Sequence, residues 1–371
     1  MPRTLGAASA LRPQWSHPSH CDVTSKLPMT LDTHSGAPDA AAQATDAGTW
    51  EGPLFIVGMP RSGTKLLRGL LARHPRIRAL AAETDFLPFI EEWVRQHGRP
   101  VSDDAFEAFA NAMSGANYFN FRPPTRGPFR WQQWRVACNG NFDVAGLFEG
   151  FARYELDAQR GSGTIWADKS PAYIRQIPLI LKHFPRARVL HIVRDVRDHC
   201  VSMRNAWGKD IRRAAWRWGR EVLAAHRQCI ATPERCLEVR FEELLQDPDT
   251  QMRRICLFLD LPFFPGLTQL DQSVERRGYA AGRTEIVRDN FRKFETRLTP
   301  REIYNVESLA WQTMQALGYA PTRASQQTEL SPVMQCLLKL KDGAHLVASG
   351  MSRRGVAAAV RFHATHRRMA G

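Results

Sequence analysis

The residues best suited to chemistry lie in Phe55–Leu71, FIVGMPRSGTKLLRGLL. An apolar strand runs into a Gly-bearing turn, and a helix with an apolar stripe follows. Such a turn aims consecutive backbone N–H groups at one spot, and the helix dipole adds about half a positive charge there. Arg61 and Lys65 add full charges, and Ser62, Gly63, Thr64 and Leu66 complete the loop and the first helical turn. Gly58 and Gly63 stand at the spacing of a triphosphate-binding loop, but Thr64-Lys65-Leu66 follows instead of Lys then Ser or Thr. The hydroxyl that would hold Mg²⁺ is replaced by Leu66. The expected ligand is a phosphate-bearing donor used without Mg²⁺.

A second strand–helix unit reads VLHIVRDVRDHCVSM, with Arg194 at the strand end and Ser202 two helical turns later. Ligands bind outside the carboxyl ends of parallel strands, so Arg194 shares a rim with the first loop. An arginine fork and a nearby hydroxyl suit a second, separate phosphate. A ligand with two phosphate groups at a fixed distance would engage both.

These groups need a scaffold. Strands are expected at Leu54–Gly58, Thr164–Ala167, Arg188–Val193 and Arg235–Val239, with a short one after the first helix. Helices are expected over Gly63–Arg73, within Phe86–Met113, and over Asp143–Gln159, Ala172–His183, Asp195–Ala206 and Lys209–Ile230. Two more lie around Thr250–Leu259 and Thr299–Leu317. Strands that alternate with helices predict a parallel sheet covered on both faces. The expected fold is therefore α/β: a P-loop-like three-layer α/β/α domain over residues 51–320 with a mostly parallel sheet. Residues 1–50 read as a disordered tail, and residues 321–371 as a basic extension with helical character. Residues 115–141 carry Tyr118, Phe119, Phe121, Trp131 and Trp134 among Gly, Pro and Asn. They read as an aromatic loop, either a lid or acceptor wall beside the site or ordinary packing.

The net charge of +14 favours an anionic partner: a phosphorylated cofactor, an acidic substrate, nucleic acid or a membrane surface. The seven cysteines are scattered without C-x-x-C spacing. They read as buried or incidental thiols rather than a metal site, compatible with a reducing cytosol. No apolar run is long enough to span a membrane, and no secretory h-region is evident. The expected location is cytoplasmic. Lys339, Lys341, Arg353, Arg354, Arg361, Arg367 and Arg368 suggest peripheral contact with an anionic membrane face, the alternative being a solvated tail.

On these motifs the chain resembles the sulfotransferase family, which uses 3′-phosphoadenosine-5′-phosphosulfate (PAPS). Pro60-Arg61-Ser62-Gly63-Thr64-Lys65-Leu66 is similar to its 5′-phosphosulfate loop, P-R-S-G-T-[TS]-L. Arg194 and Ser202, eight positions apart, are similar to its 3′-phosphate motif. The stretch DKSPAYIRQIPLILKHFPRARVLHIVRDVRD and the segment VRFEELLQDPDTQMRRICLFLDL extend the likeness over roughly residues 53–320. One departure is Lys65, where the family usually has Thr or Ser. It either adds charge to the 5′-phosphate or points away.

The resemblance implies sulfuryl transfer from PAPS, without a metal, to a hydroxyl of a glycan, lipid, small metabolite or tyrosine. A glycan or small metabolite is favoured and nucleic acid is not. AAETDFLP is similar to the segment of the tyrosylprotein and bacterial branches that carries a Glu base, which implies Glu83 as the catalytic base, its pKa expected to rise on partial burial, the alternative being a Glu that caps or salt-bridges near the strand end. His74 and His191 are weaker candidates. Lys169 would stabilise the leaving phosphate oxygen together with Arg61 and the loop N–H groups, or else pair with Asp168. In FRKFETRL, Arg292 or Lys293 would reach the 3′-phosphate or else keep a surface role, and Glu242 looks structural. The rival readings are a P-loop kinase using Mg-ATP, a non-catalytic module that binds anions or nucleic acid, and a sulfotransferase fold that has lost activity.

Overall fold

The computed structural model describes residues 50–274 and 279–354, with side chains up to residue 345. The expected tail lies outside the described residues except at its last position, and so do Arg361, Arg367 and Arg368.

Strand β1 (Leu54–Gly58) is buried along its whole length. Its side chains alternate between two cores. Phe55 and Val57 join the larger core, and Leu54 and Ile56 join the smaller one on the other face. That is how a strand covered on both sides must pack. The loop after β1 leads into α1 (Thr64–Leu71), whose Leu67, Leu70 and Leu71 bury into the smaller core. Strand β2 (Ile77–Ala79) follows. Helices α2 (Leu87–His97), α3 (Asp103–Met113), α4 (Asn117–Phe121), α5 (Trp131–Ala137) and α6 (Val144–Leu156) then precede β3 (Ile165–Lys169). Next come α7 (Ile177–His183), β4 (Arg188–Val193), α8 (Val196–Trp207), α9 (Ile211–Ala231) and β5 (Cys236–Arg240). Helices α10 (Phe241–Gln246), α11 (Pro248–Phe258), α12 (Phe294–Arg297), α13 (Pro300–Ala316) and α14 (Pro332–Arg354) complete the described chain.

The five strands among the described residues run in the order β2-β3-β1-β4-β5, and every pair is parallel. This is the expected doubly covered α/β sheet. The order reverses at β1, with β3 on one side and β4 on the other, so the crevice for a ligand opens above its carboxyl end.

Two expectations change. Residues 115–141 are not an open aromatic loop. They fold into α4, a short 3₁₀ turn (Pro124–Arg126) and α5. Tyr118 and Trp134 are buried in the larger core, where the Trp134 indole N–H donates to the Leu147 carbonyl at 2.9 Å. Edge-to-face contacts with Phe106 and Phe151 use these rings as core filling, which is the packing alternative. The cysteines are also not all thiols. Cys229 at the end of α9 and Cys236 at the start of β5 form a disulfide, whereas Cys138, Cys200 and Cys256 are buried and free.

Candidate active site

Two glycines make the loop between β1 and α1 possible. At Gly58, a Cβ would stand 2.5 Å from the Ile192 carbonyl oxygen of β4. Gly63 has φ +97, and a Cβ there would run into the Phe241 ring. The replacement Gly63→Ala is therefore expected to cost about 1–3 kcal/mol of unfolding free energy in urea titration and to weaken anion binding at the loop. Among the described residues no side chain caps the start of α1, and its first turn holds no acid. The amide N–H groups there are suited to an anion.

Arg61 ties the two phosphate motifs together. Its backbone is left-handed (φ 73), which costs a non-glycine residue about 1 kcal/mol. Its Nε donates to Ser202 Oγ at 3.3 Å, and its carbonyl accepts from Arg194 Nη1 at 3.1 Å. Arg194 leaves the end of β4, and its Nη2 donates to the Asn290 carbonyl at 3.0 Å. Its guanidinium lies 4.6 Å from the centroid of the Phe241 ring. Burial draws its pKa below the usual arginine value, with Asp198 opposing. Its Nε is buried and has no hydrogen-bond partner among the described residues.

These groups share a cavity of about 680 Å³. Of the expected site residues, Arg61, Gly63, Leu66, Arg194, Ser202 and Lys293 line it. Phe241, Leu270, Val274 and Ile286 add an apolar wall. Charge beside apolar surface at this size suits a phosphorylated heteroaromatic ligand. Lys293 hydrogen-bonds Asn290 Oδ1, and its Nζ sits 3.5 Å from the Tyr279 ring centroid. Arg292 is outside the lining and pairs with Glu295 on the surface, so Lys293 is the cation of that pair that faces the cavity.

Burial, then the charge of Arg194, lowers the Lys293 pKa to about 8. Below pH 8 the ammonium is present to meet an anion. Above it, binding must first take up a proton, so affinity for a phosphate ligand should fall as pH rises from 7 to 9. Calorimetry across that range should show the fall in the parent chain and a flatter profile in Lys293→Arg.

The other half of the site lies across β1. Lys169 ends β3 in register with Ile56, and its side chain is only 4% exposed. Its ammonium hydrogen-bonds the Glu83 carboxylate, whose side chain is 37% exposed. The alternative partner, Asp168, is fully buried, and burial pushes its carboxyl up to about 6. Asp85 is pushed up to about 7 by burial and then by the charges of Glu83 and Asp168.

A clamp holds the Glu83 loop to the β3 exit. Thr84 N–H donates to Ser170 Oγ at 2.8 Å, and the Thr84 and Tyr173 hydroxyls lie 2.7 Å apart. Arg68 on α1 donates to the Leu80 and Ala81 carbonyls and places its charge near Glu83 and Asp168. Sequence reasoning missed Arg68. The available signal was its position one turn beyond Thr64 on the helix that leaves the loop.

The expected residues do not all meet in one chamber. Glu83 and Lys169 lie outside the lining of the cavity, on the β3 side of the loop, while Arg194, Ser202 and Lys293 lie on the β4 side. Ser62 is buried with its Oγ lacking a partner among the described residues. Thr64 is buried at the start of α1, and Lys65 is half-buried beside it. His74 accepts from the Arg76 N–H at 3.2 Å, and burial lowers its pKa. His191 is fully buried in β4, with Nδ1 3.3 Å from Glu238. Both are structural. Glu242 accepts from the Asp195 N–H at 2.9 Å and the Tyr319 hydroxyl at 2.9 Å at the start of α10, the structural role expected of it.

Residues 53–265, more than half of the chain, match the Sulfotransferase family. Protein-tyrosine sulfotransferase 1 of Danio rerio is 24% identical over 236 residues, covering 61% of this chain and 58% of that protein. Protein-tyrosine sulfotransferase of Drosophila melanogaster is 27% identical over 220 residues, covering 57% and 38% respectively. The chain spans about half the length of the curated relatives it matches. A solved sulfotransferase domain from the curacin biosynthetic pathway aligns at 20% identity and a TM-score of 0.48, over 73% of this chain and 99% of that one. The chain belongs to the sulfotransferase family.

Proposed function

We propose that this protein is a PAPS-dependent O-sulfotransferase. The observation that carries the reading is the joining of two phosphate motifs in one cavity: Arg61 reaches Ser202, Arg194 reaches the Arg61 carbonyl, and all three line the same 680 Å³ space. Two anion sites fixed relative to each other match a donor with phosphates at both ends of its ribose. The unpartnered Nε of Arg194, which lines the cavity, fits that donor, since a phosphate oxygen would satisfy it. Leu66 stands where a Mg²⁺-holding hydroxyl would, which disfavours a kinase.

When bound, the donor supplies a sulfuryl group already activated on a phosphate. Glu83 takes the proton of the acceptor hydroxyl as general base. Lys169, held against Glu83, and Arg61 stabilise negative charge near the loop, with Thr64 and the α1 N–H groups. Arg194, Ser202 and Lys293 grip the 3′-phosphate. Lys65 stands outside the cavity lining, as Thr64 does.

The acceptor is a hydroxyl compound, with a glycan or small metabolite favoured. A tyrosine acceptor is the alternative suggested by the names of the relatives. A cytoplasmic location goes with this reading. The test is transfer of labelled sulfate from PAPS to a panel of sugars, phenols and tyrosine peptides. Incorporation that is lost in Glu83→Gln supports the reading. No incorporation, together with turnover of Mg-ATP, overturns it in favour of a kinase.

A further inference from the structure

The described part of helix α14 has two faces with different fates. Leu338 and Asp342 are buried against the body of the protein. Asp342 fixes the docking: Oδ1 accepts from the Asp210 N–H at 3.0 Å, and Oδ2 from Arg213 at 2.8 Å. The face rotated away from this contact carries Val333, Leu337 and Leu340, which are 71%, 54% and 66% exposed. Their spacing of four and then three residues makes one stripe along the helix. Large apolar side chains at three successive positions of one face are not scattered surface residues.

Beside this stripe, between α9 and α14, lies a groove of about 450 Å³. Arg213, Arg217, Arg220 and Lys339 line it, with Glu221 as its one carboxylate among the described residues. Glu221 is taken by Arg217 at 2.8 Å, and Arg213 by Asp342. Arg220 and Lys339 are bridged to no carboxylate among the described residues. Trp216 stands in the groove under Arg220, 5.1 Å from ring centroid to guanidinium. Its indole N–H is buried without a partner among the described residues.

We infer that α14 and this groove form a docking surface for an anionic lipid bilayer. The stripe would enter the acyl boundary while the groove takes anionic headgroups, with Trp216 at the interface between them. Charge complementarity selects this occupant. A second copy paired through the same stripe would bring two cationic grooves together, which like-charge repulsion opposes. No helix among the described residues is long and apolar enough to cross a membrane, so the contact is peripheral. This inference does not depend on the sulfotransfer reading.

The test is flotation of the full chain with phosphatidylcholine vesicles, with and without phosphatidylglycerol. Binding should require phosphatidylglycerol and weaken with salt. The variant L337E/L340E should lose affinity on the order of tenfold or more, and R220A/K339A should lose it as well. Both variants keep the basic residues beyond position 354, so binding through those alone would be unchanged. Val333→Asn, a milder change at a 71% exposed site, should weaken binding in the same direction with an unaltered melting curve. No preference for anionic vesicles, or unchanged binding in L337E/L340E, overturns the inference. It is also overturned by a solution dimer, seen by light scattering, that L337E/L340E dissociates while vesicles are ignored.

Discussion

The replacement Glu83→Gln should lower kcat by about 10²–10⁴-fold while leaving the affinity for 3′-phosphoadenosine 5′-phosphate (PAP), the desulfated donor, nearly unchanged. Glutamine keeps the shape of the side chain and a hydrogen-bond acceptor for Lys169, but cannot take a proton. The donor groups on the β4 side, Arg194, Ser202 and Lys293, do not touch Glu83, so binding and chemistry should separate. Single-turnover transfer from labelled PAPS measures the first quantity and calorimetry with PAP the second. Lys169 is buried and would lose its ionic partner, so a melting curve should accompany both. If Gln at position 83 keeps most of the rate, Glu83 is not the base. Asp85 and Asp168, whose carboxyls burial pushes up to about 7 and about 6, would then be examined in its place.

Arg194→Ala should weaken PAP binding by about 3 kcal/mol, on the order of a hundredfold, and ADP binding far less. Arg194 is a buried cation whose Nε has no partner among the described residues, and a phosphate would supply one. The same side chain also braces the protein. It donates to the Arg61 and Asn290 carbonyls, which belong to the loop after β1 and the segment before Lys293. A general loosening of those segments would weaken both nucleotides alike. The difference between PAP and ADP isolates the 3′-phosphate contact, and equal losses would show a bracing role only.

Strands β1 and β4 were readable from sequence to the residue, because each is a short, mostly apolar run between turn signals, β1 buried throughout and β4 from Val189 onward. Strand β3 runs two residues further than its apolar pattern, through Asp168 and Lys169. Two charged residues look like the start of a loop. Here they stay in the sheet because Lys169 finds Glu83 and Asp168 is buried with its carboxyl pushed towards the neutral form. Polarity thus misplaced the strand end at the point where function overrides the pattern.

The phosphate loop, Arg194 and Ser202 were legible because each motif is contiguous or a fixed number of residues apart. The Glu83–Lys169 contact was not, since 86 residues separate the partners and only the fold brings them together. The Thr84–Ser170–Tyr173 clamp was hidden for the same reason. Gly, Pro and Asn in residues 115–141 signalled a loop, but they separate short helices whose aromatic rings bury into the larger core. The Cys229–Cys236 pair carried no motif, and the turn between α9 and β5 is what brings the two sulfurs together.

A donor pocket that reads a 3′-phosphate without Mg²⁺ distinguishes this chain from a kinase. Calorimetric titration of the full chain with PAP, beside ADP, in metal-free buffer tests it most directly. PAP should bind in the micromolar range, ADP should bind more weakly on the order of a hundredfold, and adding Mg²⁺ should bring no gain. Equal affinity for the two nucleotides, or tight binding only of the Mg²⁺ complex of ADP, would contradict it.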